Sequence, residues 1–233
     1  MKKNALLMLA FLVISVLDLR AQGSLLPFAS SQLVDGIGAL NSQANSTLFA
    51  KKYNTIYDNT PYLPAQNMVA GYFVQANGKR FEIEKMAYNA YEKRVEYAVK
   101  NDLFFPKEQI IEFGFESGEV FQRSFKPMDD HDETTYFEVL YNAKTRLLLH
   151  TRAALLEVAA YSSADKIKHF DSTDTYYVLK SDGTFSKSRR LNSTLLEVLG
   201  DKKPLIDAFI DTNKLKCRSA SDLKKVLAYY DSI

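Results

Sequence analysis

Tryptophan is absent from this 233-residue chain, and cysteine occurs once, at position 217. A lone thiol forms no intramolecular bridge, so the fold has to be held by a packed core rather than by covalent staples. Cys217 itself reads as a small buried hydrophobe, not a reactive thiol. Sugar-binding platforms often use tryptophan, so its absence weighs against that class without removing it. Also missing are G-x-S-x-G, H-E-x-x-H, paired C-x-x-C and a P-loop, and with them the reactions those motifs announce. No strong excess of one charge exists: the formal net charge is +2. Nucleic-acid binders depend on phosphate contacts and carry a marked basic excess, so no nucleic-acid partner is expected.

Long apolar runs are confined to the beginning. Lys2 and Lys3 precede the apolar stretch 5–17, which Asp18 and Arg20 close. A spanning helix needs about 20 apolar residues, so these features describe a secretory signal peptide, with cleavage expected after Ala21. Leu19 at the −3 position is large for a signal-peptidase site. No cysteine follows the run to carry a lipid anchor. Losing Lys2, Lys3, Arg20 and Asp18 brings the formal charge near zero. The expectation is a soluble protein in the periplasm or secreted, touching membrane at most peripherally.

What the chain does have is apolar content, 46% of residues, and many aromatic rings: 14 tyrosines and 15 phenylalanines. That supports a sizeable core. Four parts follow from composition and period: signal peptide 1–21, an arm or weak helix with linker at 22–66, a β domain at 67–190, and a helical segment at 191–233. Within the arm, Leu33, Ile37 and Leu40 fall at helical spacing, and Gly36 and Gly38 weaken it.

From Met68 the period becomes two. "MVAGYFVQ" and "RFEIEKM" flank Asn77-Gly78, which supplies a hairpin turn. "RVEYAVK", "IIEFGF" and "VFQRSF" are further half-apolar strands, with Ile111, Phe113 and Phe115 on one face. "TYYVLKSDGTFSKSRR" adds a hairpin at Asp182-Gly183. The pattern is an antiparallel meander with one face on a core, curved or barrel-like at most, followed by two or three short helices: an α+β protein. The first helix is capped at Asn192 or Ser193 and ended by Gly200. Asp201 caps the second, which tolerates Pro204 and carries the stripe Leu205, Ile206, Phe209 and Ile210. "SASD" at 219–222 caps the third, whose stripe is Leu223, Val226, Leu227 and Tyr230.

"YFEVLYNAKTRLLLH" (136–150) sets the register question. A two-residue turn would place Ala143 at positive φ, which is sterically costly. A three-residue turn gathers Phe137, Val139, Tyr141, Leu147 and Leu149 on one face. Tyr136, Glu138, Leu140, Arg146, Leu148 and His150 then share the other. Tyr136, Glu138, Arg146 and His150 are the candidate interaction surface. Lys187, Arg189 and Arg190 of "KSRR", with Lys180 nearby, join them as a basic cluster able to meet lipid headgroups or acidic glycan, though such runs are commonly a solvated hairpin end. Tyr88, Tyr91 and Tyr136 are expected to be exposed.

The block order "TPYLP", "NGKRFEIEKMAYNAY", "YFEVLYNAKTRLLLH", "DTYYVLKSDGTF", "LIDAFIDTNKLK" and "SASDLKKVLAYYD" resembles a group of uncharacterised secreted β-rich proteins of Gram-negative bacteria. The likeness covers residues 59–233. "YNAK" stands where such chains tend to carry a glycine turn, and Asp231 where an asparagine is common. The resemblance implies export and a sheet followed by C-terminal helices. The group has no assigned activity, so no site residue is transferred.

Other chemistry-bearing residues have plain readings. His131, His150 and His169 lie far apart, unlike zinc ligands, which come at least in pairs at short spacing. "DDHDE" (129–133) lacks the glycine a calcium loop needs and reads as a solvated loop. Glu82 and Glu84, on a wet strand, are both simply ionised. No catalytic residue, cofactor or metal is assigned. The expected function is a non-enzymatic binding or scaffolding protein of the cell envelope, with an envelope protein or polymer as partner. The alternatives are a periplasmic carrier of an apolar ligand, which a deep apolar cavity would mark, and a hydrolase, which a cleft joining His150 or His169 to a carboxylate and a nucleophile would mark.

Overall fold

The computed structural model describes residues 41–45, 57–64, 68–100, 102–159 and 166–233. The expected signal peptide at 1–21 and the expected arm helix at 33–40 lie outside the described residues. The strands in chain order are β1 (Asn41–Asn45), β2 (Tyr57–Asp58), β3 (Tyr62–Leu63), β4 (Val69–Gln75), β5 (Arg80–Asn89), β6 (Arg94–Val99), β7 (Asp102–Pro106), β8 (Ile110–Phe115), β9 (Val120–Gln122), β10 (Phe137–Asn142), β11 (Arg146–Ala159), β12 (Lys166–Leu179) and β13 (Phe185–Ser188). A 3₁₀ segment (Ser193–Lys202) and two helices, α1 (Lys203–Thr212) and α2 (Ala220–Ser232), follow. The α+β expectation holds: a mostly antiparallel sheet, open rather than closed, precedes the helices.

The sheet runs β1-β7-β6-β5-β4-β8-β9-β10-β11-β12-β13, with β3 added to β5 and β2 added in parallel to β12. Only residues 107–109 join β7 to β8, although β6, β5 and β4 lie between them. Flat strands spaced about 4.8 Å apart would put these two roughly 19 Å from each other. Four extended Cα steps reach roughly 14 Å. The sheet therefore curls. β5 makes the corner: residues 80–83 pair with β4, 87–89 pair with β6 and Met86 meets both. Inside the curl lie Phe73, Met86, Tyr88, Tyr97, Phe113 and Phe121, each buried. Phe113 and Phe121 stack with centroids 4.6 Å apart, and each such ring contributes about 1.5–3 kcal/mol of burial.

Ile110, not Ile111, joins Phe113 and Phe115 in this core, because the β4–β8 register shifts between Val74 and Gln75. Glu96, which alternation with Val95, Tyr97 and Val99 in "RVEYAVK" would set on the outer face of β6, is fully buried. It accepts hydrogen bonds from Tyr62 Oη (2.8 Å), Arg94 Nε (2.9 Å) and Asn89 Nδ2 (3.3 Å), so its charge is compensated.

Near the 143–145 turn, β10–β12 are covered on both faces. Leu147 and Val178 pack under the helices with Leu195, Leu199, Leu223, Val226 and Leu227. Cys217 is buried in the same cluster, as expected. On the other face Phe137, Leu148, Tyr177 and Leu179 pack with Phe125 and Met128 of the segment 123–136 that joins β9 to β10.

Asn192 caps the 3₁₀ segment, accepting from Thr194 N at 3.1 Å, but the segment runs through Gly200. Asp201 does not cap α1; its carboxylate accepts from Tyr230 Oη (2.9 Å) and Lys180 Nζ (3.2 Å). Leu205 is exposed, while Ile206 is buried. Ser219 caps α2, accepting from Asp222 N at 3.1 Å, and the predicted stripe from Leu223 to Tyr230 is buried.

Candidate functional site

Along β11 the side chains of Arg146, Leu148, His150, Arg152 and Ala154 alternate onto one face of the sheet. Their cross-strand partners on β12 are Leu179, Tyr177, Thr175, Thr173 and Asp171. Lys187 of β13 pairs with Tyr177. The segment 123–136 turns over this face through a bridge between Met128 and His131. What it leaves open is a cleft of about 500 Å³ between the segment and β11–β13, lined by Asp129, Asp130, His131, His150, Arg152, Thr173, Thr175, Tyr177, Lys187, Ser188 and Arg189.

The hairpin 136–150 reaches this arrangement by a route the sequence reading missed. A connection of three residues is present, but it is 143–145: Asn142 pairs with Arg146 and Tyr141 with Leu147, where the expected register set Tyr141 opposite Thr145. A bulge at Leu140 then shifts the register, so Val139 pairs with Leu148 and Glu138 with Leu149. Beyond the bulge every side chain changes face. Phe137 therefore sits beside His150, with ring centroids 5.5 Å apart. Glu138 lies on the opposite face, where burial raises its pKa, assisted by the carboxylates of Glu119 and Asp174. Tyr136 is not exposed: it is buried in the curl and donates to Ile110 O at 2.6 Å. Tyr88 is likewise buried, whereas Tyr91 is 43% exposed as expected. The expected common face of Tyr136, Glu138, Arg146 and His150 is thus divided. Arg146 and His150 stay together, the former near the Phe125 ring (5.5 Å) and bonded to Asn142 Oδ1.

The His131 and His150 rings lie 4.2 Å apart, centroid to centroid. His131 Nε2 is 3.0 Å from Tyr177 Oη, which donates to Asp129 Oδ2 at 3.1 Å. Lys187 Nζ donates to Asp129 Oδ1 at 2.5 Å. Burial, and then the positive charge His131 would carry, pull the His150 pKa down to about 4. Burial also lowers the His131 pKa, against the pull of Asp130 and Asp129. The lysine hydrogen bond lowers that of Asp129. Burial, reinforced by Asp129, raises that of Tyr177. At neutral pH the site therefore presents two uncharged imidazoles, a protonated phenol, the cations Arg152, Lys187 and Arg189, and the carboxylates of Asp129 and Asp130, the former paired with Lys187.

Of the basic cluster, Lys187 and Arg189 line the cleft, while Arg190 is exposed outside it. His169 lies on the same sheet face, opposite Leu156, farther along the hairpin. The run 129–133 is exposed except for His131, which turns inward. Asp129, Asp130 and His131 bring one ligand atom each within 4.8 Å of one another, donors suited to a divalent cation. Both Asp129 oxygens are already engaged by Lys187 and Tyr177, so a cation would have to displace them. His150 does share a cleft with carboxylates and hydroxyls, the feature set down for a hydrolase. The hydroxyl bonded to an imidazole is Tyr177, however, and its raised pKa is the wrong direction for a nucleophile.

Arg152 was within reach of sequence reasoning, because its spacing of two from His150 puts both on one strand face. Nothing local ties Asp129 and His131 to that face; a long connection delivers them. No family model matches the chain, and no curated protein or solved structure matches it.

Proposed function

We propose that this is an exported binding protein of the cell envelope whose working surface is the cleft over β11–β13, and that its ligand is an anionic group of an acidic glycan. One observation carries the reading: Arg152 and Arg189 line a single concavity together with Thr173 and Thr175, beside Lys187 and its partner Asp129. Arginine forks and hydroxyls are the groups that hold carboxylate- or phosphate-bearing sugars. A flat headgroup surface would call for cations on a convex face, whereas these line a recess. The recess is polar, which favours a charged sugar over an apolar cargo.

The test is calorimetric titration of oligogalacturonides into the native protein and into Arg152→Gln and Arg189→Gln. Saturable binding that falls about tenfold in each variant supports the reading, since a charge-assisted pair contributes about 1.5–3 kcal/mol. Absence of binding by the native protein overturns it. Export is tested separately, by N-terminal sequencing of protein from the periplasmic fraction, where a start at Gln22 is expected.

A second reading rests on the neutral His150 beside the His131–Tyr177–Asp129 chain, an arrangement able to move protons. It predicts product release from the bound glycan over time, lost in His150→Gln. A constant ligand composition after prolonged incubation removes it.

A further inference from the structure

On the rim of the curl, close to the histidine cleft, is a smaller pocket of about 180 Å³. Three cations line it, Lys93, Arg94 and Arg123, and Glu108 is the carboxylate among its described lining residues. Arg94 is already neutralised: it pairs with Glu92 at 2.5 Å and Glu96 at 2.9 Å, over the Phe105 ring. Arg123 is different. Its Nε and Nη2 are buried and have no hydrogen-bond partner, although the guanidinium is held 5.4 Å from the Tyr136 ring. Native proteins leave very few buried donors unpaired, and two unpaired donors on one guanidinium that lines a pocket point to a missing counter-ion. Lys93 is exposed and makes no ion pair among the described residues. It lines this pocket, and its positive charge acts on both His131 and His150 of the cleft.

We propose that this pocket is a second oxyanion subsite, in which the Arg123 fork takes a carboxylate or phosphate group in two parallel hydrogen bonds and Lys93 supplies the neighbouring charge. Resting on the glycan-binding reading, it assigns the ligand class further. The glycan carries repeated anionic groups, one held in the histidine cleft and another here, with Lys93 beneath the link. Occupying both subsites at once raises affinity by effective concentration, without a new type of contact.

The experiment is NMR titration of the ¹⁵N-labelled full chain, following the arginine Nε–Hε signals and the histidine ring signals. The probes are inorganic phosphate, galacturonic acid and trigalacturonic acid; the first two distinguish a phosphate from a carboxylate preference. The expected result is a saturable shift of the Arg123 signal with at least one single anion, retained in Arg189→Gln. Trigalacturonate should bind at least about tenfold more tightly than the monomer, and Arg123→Gln should abolish that gain while leaving monomer affinity in the cleft within about twofold. An Arg123 signal unmoved by all three probes overturns the proposal, as does an unchanged trimer affinity in Arg123→Gln. Lys93→Gln, on the exposed rim, gives the same comparison if Arg123→Gln does not fold. An Arg123 shift with no change at His150 or Arg189 sinks the histidine-cleft reading and leaves the subsite standing.

Discussion

His150 gives the most direct test of the chemistry at the scale of one residue. Its folded pKa of about 4 lies below the ordinary histidine value of 6.5. Between those values the unfolded chain takes up a proton that the folded chain refuses, so stability falls as pH drops through that window. The contribution of this ring is fully present above about pH 6.5 and lost by about pH 4, with a ceiling of about 3 kcal/mol. Chemical denaturation from pH 7.5 to 4 should show that decline in the native protein and a shallower one in His150→Gln. Glu96 calls for a different measurement. Fully buried, it depends on Arg94, Tyr62 and Asn89. Arg94→Ala removes the charged partner and should cost about 3 kcal/mol in urea unfolding, because a buried carboxylate is left without its counter-charge.

At the scale of elements, the end of α2 is fastened to the hairpin turn it covers. The Asp231 carboxylate accepts from Thr145 N (3.1 Å) and Tyr141 Oη (3.1 Å), and Asp231 O accepts from Lys144 Nζ (2.8 Å). Asp231→Ala should cost about 1–2 kcal/mol and raise amide exchange in the last turn of α2 and at residues 143–145. The β4–β8 contact is less forgiving: a Cβ at Gly71 would lie 2.2 Å from Gly114 O. Gly71→Ala must push two backbones apart, and its thermal midpoint should fall by more than 8 °C.

These elements also show what the chain discloses in advance. Alternation in 80–83, the Asn77-Gly78 and Asp182-Gly183 turns, and the stripe from Leu223 to Tyr230 are local signals, and the structure follows them. Three things depended on distant parts of the chain. The Leu140 bulge lies in a run whose apolar residues suit either face, so pairing with β11 decides it. The long β11–β12 hairpin was legible only at its base, because "TRAA" (151–154) and the polar run 171–175 alternate weakly. Tyr136 looked like a surface ring until the curl brought Ile110 O within 2.6 Å of its hydroxyl. The cleft was half legible: His150, Lys187 and Arg189 were marked, whereas Asp129 and His131 arrive from a connection of low regularity.

On the scale of the whole molecule, the two-faced burial of β10–β12 near the 143–145 turn makes the helices part of one cooperative unit with the strands. Leu147 and Val178 are fully buried beneath them. Deleting residues 191–233 should therefore yield a chain that binds a hydrophobic dye and aggregates, not a smaller β domain with a cooperative transition. Thermal unfolding and light scattering check this together.

The strap at 123–136 has one more consequence. It shields Phe137, Leu148 and Tyr177 through Phe125 and Met128, and the same strap supplies Asp129 and His131 to the recess beside it. A guest seated in that recess would hold the strap down, while an empty protein would lift it more often and offer the exposed Glu133 to a glutamyl endopeptidase. The speed of nicking after that glutamate would then act as a gauge of occupancy, readable in crude extracts before the guest has been identified.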